Sequence, residues 1–259
     1  MTSAVVPRLA TLVADDLRAQ ILRRRAPVSS LPRQSDLRAF YGVGPASIRE
    51  ALRMLEAEGL VTVRRGSNGG AAVHPPCDGP VAQRIGLALQ ACRADVDDLA
   101  RSIQDVEGIV AAACAGDPAR RTLVHLLTAN LASAERAADD LREHARLARA
   151  FHRLLLDHTP ARTTAMIRRS LAAVWAAQEV EPVVRPTWRY RVVAEHRLIV
   201  ERLRAGDAVG AAGVARRHLA AAQQATLSDA GRQVVDASSM YASRAIRDHA
   251  VRRTLEDAP

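Results

Sequence analysis

The segment from Leu31 to Val73 constrains this chain more than any other, because its order of elements is compatible with few folds. Gly42-Val43-Gly44 ends one short helix, and Pro45 begins the next at a position where a helix loses no needed N–H. Gly59 ends that second helix as a C′ residue would, and Leu60-Val61-Thr62-Val63 leads into a hairpin with a basic, glycine-rich tip. The sequence therefore predicts helix, turn, helix and a two-stranded wing.

The second helix of this segment has two unlike faces. Residues at helical spacing form its apolar face, namely Ile48, Ala51, Leu52 and Leu55. The first helix, roughly Gln34 to Tyr41, is expected to add Leu37 and Phe40 to the same small core. At about 100° per residue, the opposite face carries Ala46, Arg49, Glu50 and Arg53. An exposed helix face with arginines is thus followed by a basic hairpin.

Such a unit is typical of proteins that hold a helix in the major groove of DNA. A plain helical hairpin with solvated arginines is the alternative, but the proline start, the glycine stop and the wing together favour DNA binding. We therefore expect contacts with double-stranded DNA at exposed positions around the second helix and at the wing: Arg33, Ala46, Ser47, Arg49, Arg53, Arg64, Arg65 and Gly66.

Arginine supplies all the basic side chains of this protein apart from histidine. The 259 residues include 37 basic residues, none of them lysine, and the formal net charge is +9. Residues 1–76 contain 11 arginines against 6 acidic residues, a formal charge of +5. Arginine stays charged and forms paired hydrogen bonds with phosphate or guanine. This part of the chain is therefore expected to attract DNA in a salt-dependent manner.

Several other classes of protein do not fit the sequence. The N-terminal residues lack the apolar run of a signal peptide, and no stretch approaches the ~18 apolar residues of a membrane span. The three cysteines, Cys77, Cys92 and Cys114, are odd in number and lack metal or redox spacing, which favours reduced thiols in the cytoplasm. No phosphate-binding glycine loop and no nucleophile elbow is visible, so we expect no enzyme.

A proline-rich stretch from His74 to Pro80 cannot continue a helix or a strand and divides the chain. We expect a winged helix-turn-helix over 1–76, a linker over 77–80, an all-helical domain over 81–231 and a tail or extra helix over 232–259. Seven helices are expected near Val81–Ala91, Asp95–Ala115, Pro118–Ala138, Leu141–Asp157, Arg162–Gln178, Tyr190–Arg204 and Ala208–Leu227. The predicted class is mainly α, with a two-stranded wing in the first unit and a C-terminal all-α bundle of six to seven helices.

Two histidines of the helical domain are predicted to lie level with each other. Ala205-Gly206-Asp207 joins the last two long helices as a glycine stop followed by an aspartate cap, which makes an antiparallel hairpin. His196 and His218 each lie about 15 Å from this turn, at about 1.5 Å per residue. With His152 on an earlier helix, three imidazoles can form a Zn²⁺-type site with an open position. The remaining histidines are expected on the surface or hydrogen-bonded in the core: His74, His125, His144, His158 and His249.

The first 75 or so residues resemble the winged helix-turn-helix of the GntR family of bacterial transcription regulators. The matching residues are Leu31-Pro32, Leu37, Tyr41-Gly42-Val43, Ile48-Arg49-Glu50-Ala51-Leu52, Leu55-Glu56, Glu58-Gly59-Leu60-Val61 and Arg65-Gly66. Arg33-Gln34-Ser35 and Gly44-Pro45 depart from the family pattern, so two arginines that commonly touch DNA are missing there. Arg49 remains at its family position, and Arg33 is a candidate substitute for a missing arginine.

Residues from about 81 to 228 resemble the all-helical effector domain of the FadR-type branch of that family. The landmarks are Phe151-His152, Glu195-His196, Gly206-Asp207 and His218. In many relatives these three histidines and an acidic residue four positions before the first bind a divalent metal that holds an organic acid. That fourth position is Ala148 here; Glu107 fits the family, whereas Ile103 stands where arginine is common. The resemblance implies either a metal such as Zn²⁺ or a neutral three-histidine pocket that binds the ligand directly, and some members bind a fatty acyl thioester without metal.

These observations predict a cytoplasmic, ligand-responsive transcription regulator that binds a pseudo-palindromic operator as a homodimer. Its effector is expected to be a carboxylic acid or an acyl thioester, bound at His152, His196 and His218. One alternative is a helical metalloenzyme with an accessory nucleic-acid domain, for which Asp157 and Glu195 are the nearest carboxylates. A second alternative is a protein that packs DNA without sequence preference.

Overall fold

The computed structural model of the chain divides into two compact units, Met1–Val81 and Ala82–Pro259. We describe each unit by itself. The residues that the structure describes are 8–23, 30–63, 70–73, 78–137, 139–178, 188–227 and 233–241.

The first unit contains three helices and a two-stranded antiparallel sheet among its described residues. Its helices are α1 (Leu9–Arg23), α2 (Gln34–Tyr41) and α3 (Pro45–Ala57), and its strands are β1 (Val61–Val63) and β2 (Ala71–Val73). The strands pair in the register Val61 to Val73, Thr62 to Ala72 and Val63 to Ala71. The predicted helix pair and hairpin are confirmed; the tip of the wing, with Arg64, Arg65 and Gly66, lies outside the described residues.

The glycine and proline positions determine where these helices begin and end. Gly42 ends α2 at φ 63°, and Gly59 follows α3 at φ 74°, which are left-handed conformations that favour glycine. Pro45 is the first residue of α3, behind an extended Gly44. The amide of Leu60 then donates to the carbonyl of Leu55 at 2.9 Å and turns the chain toward β1.

The small core of the first unit differs from the prediction at Phe40. Leu37 is buried, but the side chain of Phe40 is 76 % exposed, so its assignment to the core is wrong. At about 100° per residue, Tyr41 lies about 40° from Leu37 on the helix and Phe40 about 60°. Tyr41 therefore packs against the core instead, and its hydroxyl donates to Asp16 at 2.7 Å.

Hydrogen bonds tie α3 to the elements around it. Arg18 of α1 donates two hydrogen bonds to the Glu58 carboxylate, at 2.7 and 2.6 Å, directly after the end of α3. Glu56 accepts a hydrogen bond from the amide of Val63 at 2.8 Å and so connects the end of α3 to β1. The exposed face of α3 is therefore held on a rigid support.

Helices make up almost all of the described residues of the second unit. The helices are α4 (Asp78–Ala91, which crosses the division between the units), α5 (Val96–Gly116), α6 (Arg120–Arg136), α7 (Leu141–His158), α8 (Arg162–Ala176), α9 (Trp188–Ala205), α10 (Ala208–Leu227) and the single turn α11 (Ser238–Tyr241). The seven long helices correspond to the seven predicted ones. No helix among the described residues has the length and apolar character needed to cross a membrane.

Aspartates precede several of these helices. Asp95 accepts a hydrogen bond from the amide of Asp98 at 2.6 Å, and Asp140 accepts two from the first turn of α7. Asp207 accepts from the amide of Gly210 at 2.8 Å after Gly206 at φ 71°, so the glycine stop and aspartate cap between α9 and α10 are confirmed.

The expected start of α6 at Pro118 is wrong by two residues. The Asp117 carboxylate accepts a hydrogen bond from the amide of Ala119 at 2.8 Å, and this local turn competes with the helix. The first residue of α6 is therefore Arg120.

Residues 233–237 return to the second unit as a short extended segment. The amide of Val96 donates to the carbonyl of Gln233, and the amide of Val235 donates to the carbonyl of Ala94, each at 2.9 Å. Val235 and Ala237 are fully buried. Part of the expected tail therefore belongs to the core of this unit, while residues 242–259 lie outside the described part of the chain.

Candidate functional site

The outward face of α3 carries the predicted DNA contacts. Ala46, Arg49 and Arg53 are exposed, Ser47 is half-buried, and Arg33 is exposed just before α2. The opposite face is buried, with Ile48, Ala51, Leu52 and Leu55 in the core of the unit. The face thus leaves its arginines accessible to a partner.

Three histidines converge in the second unit. Nε2 of His218 lies 3.0 Å from Nε2 of His196 and 3.3 Å from Nε2 of His152. The three nitrogens all lie within 4.8 Å of one another, and the rings of His196 and His218 are buried. The helices α7, α9 and α10 each supply one ring. The hairpin between α9 and α10 predicted that His196 and His218 face each other, and the family resemblance predicted the addition of His152.

Carboxylates bind the outer nitrogens of two of these rings. Oε1 of Glu107, on α5, lies 2.7 Å from Nδ1 of His152, and Oε2 of Glu195 lies 2.8 Å from Nδ1 of His218. Because a carboxylate accepts a hydrogen bond, Nδ1 carries the proton in each ring, and the lone pair of Nε2 points into the cluster. The carboxylates therefore fix both the tautomer and the orientation of the rings.

A buried ion pair supports the first of these contacts. Nε of Arg168, on α8, lies 2.7 Å from Oε2 of Glu107, and both side chains are almost completely buried. Burial by itself would raise the pKa of Glu107, but the charges of Arg168 and His152 outweigh it and lower that pKa to about 2. Glu107 is therefore a permanent negative charge behind His152.

The surroundings of His196 and His218 favour the neutral forms of these two rings. Burial lowers the pKa of His196 well below its usual value, and the nearby His152 and His218 lower it further. Burial also lowers the pKa of His218, although the hydrogen bond with Glu195 opposes that shift. Phe151 stacks on the ring of His196 with centroids 3.8 Å apart and holds that ring in place.

This donor set fits a small divalent cation. Zn–N bonds of about 2.0–2.1 Å in a tetrahedral site place two ligand nitrogens about 3.3 Å apart. The observed Nε2 separations of 3.0 and 3.3 Å are close to that value. Facing lone pairs at such distances repel each other unless a proton or a cation lies between them. Ala148 is half-buried and brings no ligand atom to the fourth position.

The carboxylates of the metalloenzyme alternative are engaged elsewhere. Asp157 binds the guanidinium of Arg169 at 2.7 Å near the surface. Glu195 binds Arg191 at 2.8 Å in addition to His218. Neither carboxylate is placed as a free general base beside the three Nε2 atoms.

The sequence did not assign the three side chains that support the cluster. The sequence indicates Glu107 only as a family position. It indicates Glu195 as a family landmark and as a carboxylate of the metalloenzyme alternative, and it does not indicate Arg168. Ile103, where relatives often carry arginine, is buried in the apolar core, and Arg168 supplies the guanidinium to Glu107 from another helix. One feature of the sequence indicates that Arg168 is buried: it lies at helical spacing from Ala165, which is itself buried.

The other histidines fall in the classes expected for them. His125 and His158 are exposed, and His144 is buried with Nδ1 3.3 Å from the carbonyl oxygen of Ala134. His74 and His249 lie outside the described residues.

Comparison with known proteins finds matches in two segments of the chain. Residues 9–70 match the family model of bacterial regulatory proteins of the gntR family, and residues 119–221 match the FCD domain. The HTH-type transcriptional repressor NanR of Cronobacter sakazakii is 34 % identical over 82 residues, which cover 31 % of each chain. NanR of Escherichia coli is 33 % identical over 82 residues, again 31 % of each chain. The chain thus aligns with about a third of the length of these curated relatives.

The fold also resembles that of a solved structure. The Streptococcus agalactiae GntR structure has a TM-score of 0.60 and 23 % sequence identity, and the match covers 83 % of this chain and 99 % of that one. At this identity the likeness concerns the fold.

Proposed function

Since this chain belongs to the FadR-type branch of the GntR family, with an FCD domain after its winged helix-turn-helix, we propose that it is a transcription regulator whose DNA binding responds to a small molecule. The observation that carries the sensing half of this proposal is the convergence of three Nε2 atoms inside the helical unit. Because NanR relatives are named transcriptional repressors, we propose repression as the outcome of DNA binding.

The first unit is proposed to bind double-stranded DNA through α3 and the wing. Arg49 and Arg53 lie on the exposed face of α3, and Arg53 pairs only loosely with the exposed Glu50 at 3.2 Å. Arginines in these places reach base edges or phosphates when the helix enters the major groove. Arg33, Ala46 and Ser47, and Arg64, Arg65 and Gly66 of the wing, complete the proposed contact set. A homodimer matches a pseudo-palindromic operator.

The helical unit is proposed to hold a divalent metal such as Zn²⁺ on His152, His196 and His218. Nδ1 of two rings is held by Glu107 and Glu195, so two of the Nε2 donors are oriented before any ligand arrives. A bound metal would supply a positive centre with an open position for the carboxylate or carbonyl oxygen of an effector. The rival form of the proposal is a neutral three-histidine pocket that binds the effector directly.

The effector is proposed to be a carboxylic acid or an acyl compound. An anionic ligand needs compensating positive charge in a buried site, and a metal or a protonated imidazole of the three histidines would supply it. An effector that prefers one conformation of the protein changes the affinity of the protein for DNA. Binding of DNA then changes the affinity for the effector by the same factor.

The test combines metal analysis with DNA binding on the purified full chain. We expect Zn²⁺ to raise the melting temperature of the metal-free protein, and His218→Ala to abolish that increase. His158→Ala, at an exposed histidine of α7, is the matched control and should retain it. Equal responses of both variants would refute the metal site.

The regulator proposal is tested by operator binding at fixed salt, with and without carboxylic acids and acyl thioesters. We expect a specific site to bind at least 10³-fold more tightly than random duplex DNA, about the lower end for sequence-specific regulators. Equal affinity for both would instead favour the protein that packs DNA without sequence preference.

A further inference from the structure

Two buried hydrogen-bond acceptors on α6 and α7 have no partner among the described residues. They are Oδ1 of Asn130 and Nε2 of His144. Nδ2 of Asn130 donates to the carbonyl of Leu147 at 3.2 Å, which fixes the orientation of the amide. Nδ1 of His144 faces the carbonyl of Ala134 at 3.3 Å and must carry the proton there. Both unpartnered atoms are therefore acceptors.

Unpartnered acceptors in such a place require a physical reason. The side chain of His144 is only 6 % exposed, and both acceptor atoms are shielded from solvent. Buried polar atoms without partners are rare because they lose their hydrogen bonds to water on folding. Two of them on one pair of packed helices call for a bound molecule that donates hydrogen bonds.

The two acceptors are connected to the histidine cluster through α7. His144, Ala148 and His152 follow one another at intervals of four residues, so they share a side of the helix over about 12 Å. Ala148, between the two histidines, is half-buried and brings no polar side-chain atom to this line.

We propose that Asn130 and His144 form the distal recognition point of the effector site and bind a hydroxyl or ammonium group at the end of the effector remote from its carboxylate. This inference rests on the proposed sensing function, in which the carboxylate end lies at His152, His196 and His218. An effector with an apolar far end leaves both acceptors unpaired, so the site discriminates against it.

The experiment compares matched acids on the purified, zinc-loaded full chain. Butyrate and hexanoate are titrated beside the same acids with a terminal hydroxyl or a terminal amino group, and the dissociation constants are measured by calorimetry. We expect at least one donor-bearing acid to bind about tenfold or more tightly than its unsubstituted counterpart, as one buried hydrogen bond implies. The hydroxyl and amino series separate the two kinds of donor.

Leucine variants test which residues cause the preference. Asn130→Leu and His144→Leu should each remove the preference for donor-bearing acids, because each variant removes one of the two acceptors. His125→Leu, at an exposed histidine of α6, is the matched control and should keep the preference. The comparison of acids on the unaltered protein decides the question even where a leucine variant fails to fold.

Two results would overturn the inference in different ways. Equal affinity for donor-bearing and unsubstituted acids would mean that internal water satisfies the acceptors, and the sensing function would survive without the distal point. If no acid binds and none changes the affinity for operator DNA, the sensing function by acids and the distal point fail together.

Discussion

Replacing Glu107 by glutamine tests the innermost support of the histidine cluster. The amide keeps nearly the shape of the carboxylate but leaves Arg168, which is 7 % exposed, as a buried cation without a counter-ion. Breaking such a pair from one side costs about 3–5 kcal/mol. In a unit of this size, each kcal/mol lost from the free energy of unfolding lowers the melting temperature by about 2–4 °C. Glu107→Gln should therefore melt about 6–20 °C below the parent protein.

Thermal and urea denaturation followed by circular dichroism measure this effect. In the double variant Glu107→Gln with Arg168→Met, both charges are gone, and we expect most of the loss to be recovered. Glu143→Gln is the matched control because Glu143 binds Arg146 at the surface of α7, and it should melt like the parent. A double variant that melts lower than Glu107→Gln would refute the argument that the unpaired guanidinium is the cause.

The pH dependence of the same pair follows from the lowered pKa of Glu107. The pKa of Glu107 is about 2 in the folded protein and about 4.3 in the unfolded chain. The ionised carboxylate therefore makes its full contribution to the free energy of unfolding at pH values above about 4.3. That contribution is lost as the pH falls from about 4 toward 2, and Glu107→Gln should show a flatter stability profile in this range.

Three further predictions concern the DNA face and the imidazoles. Arg49→Ala should cost about 1–3 kcal/mol of operator affinity by fluorescence anisotropy, whereas Arg101→Ala, in the helical unit, should cost far less. Changing Arg64 and Arg65 to Gln should reduce the salt dependence of DNA binding by roughly one to two units of slope; a loss confined to specific DNA would contradict phosphate contacts. The metal-free protein should lose stability as the pH falls below about 6.5, because the unfolded chain then takes up protons that buried His196 does not. Urea midpoints measured on both sides of that pH check this, and an equal slope in His196→Ala would refute it.

The sequence predicted the elements of the first unit well because local chemistry determines them. Gly42 and Gly59 are needed for left-handed turns, and Pro45 is suited only to a helix start, so three residues locate both helices. Phe40 was misplaced because hydrophobicity alone ranks it above Tyr41. The tertiary partner of Tyr41, Asp16 on α1, decided which ring turns inward.

The convergence of the histidines was predictable to different degrees. His196 and His218 were brought level by counting along a hairpin, which depends only on the turn at Gly206 and the helical rise. Glu107 and Arg168 meet His152 through the packing of α5, α7 and α8, and no local pattern encodes which faces of these helices meet. Their roles therefore became visible only in three dimensions.

The return of residues 233–237 to the start of α5 has a consequence for how this protein is made. The segment pairs with Ala94 and Val96, which leave the ribosome long before it does, and it contributes Val235 to the core. The helical unit therefore cannot complete its packing during synthesis until residues 233–237 have emerged, and the apolar surface that Val235 covers stays exposed until then. A newly made molecule reaches its final stability only after residues 233–237 and the single turn α11 have left the ribosome.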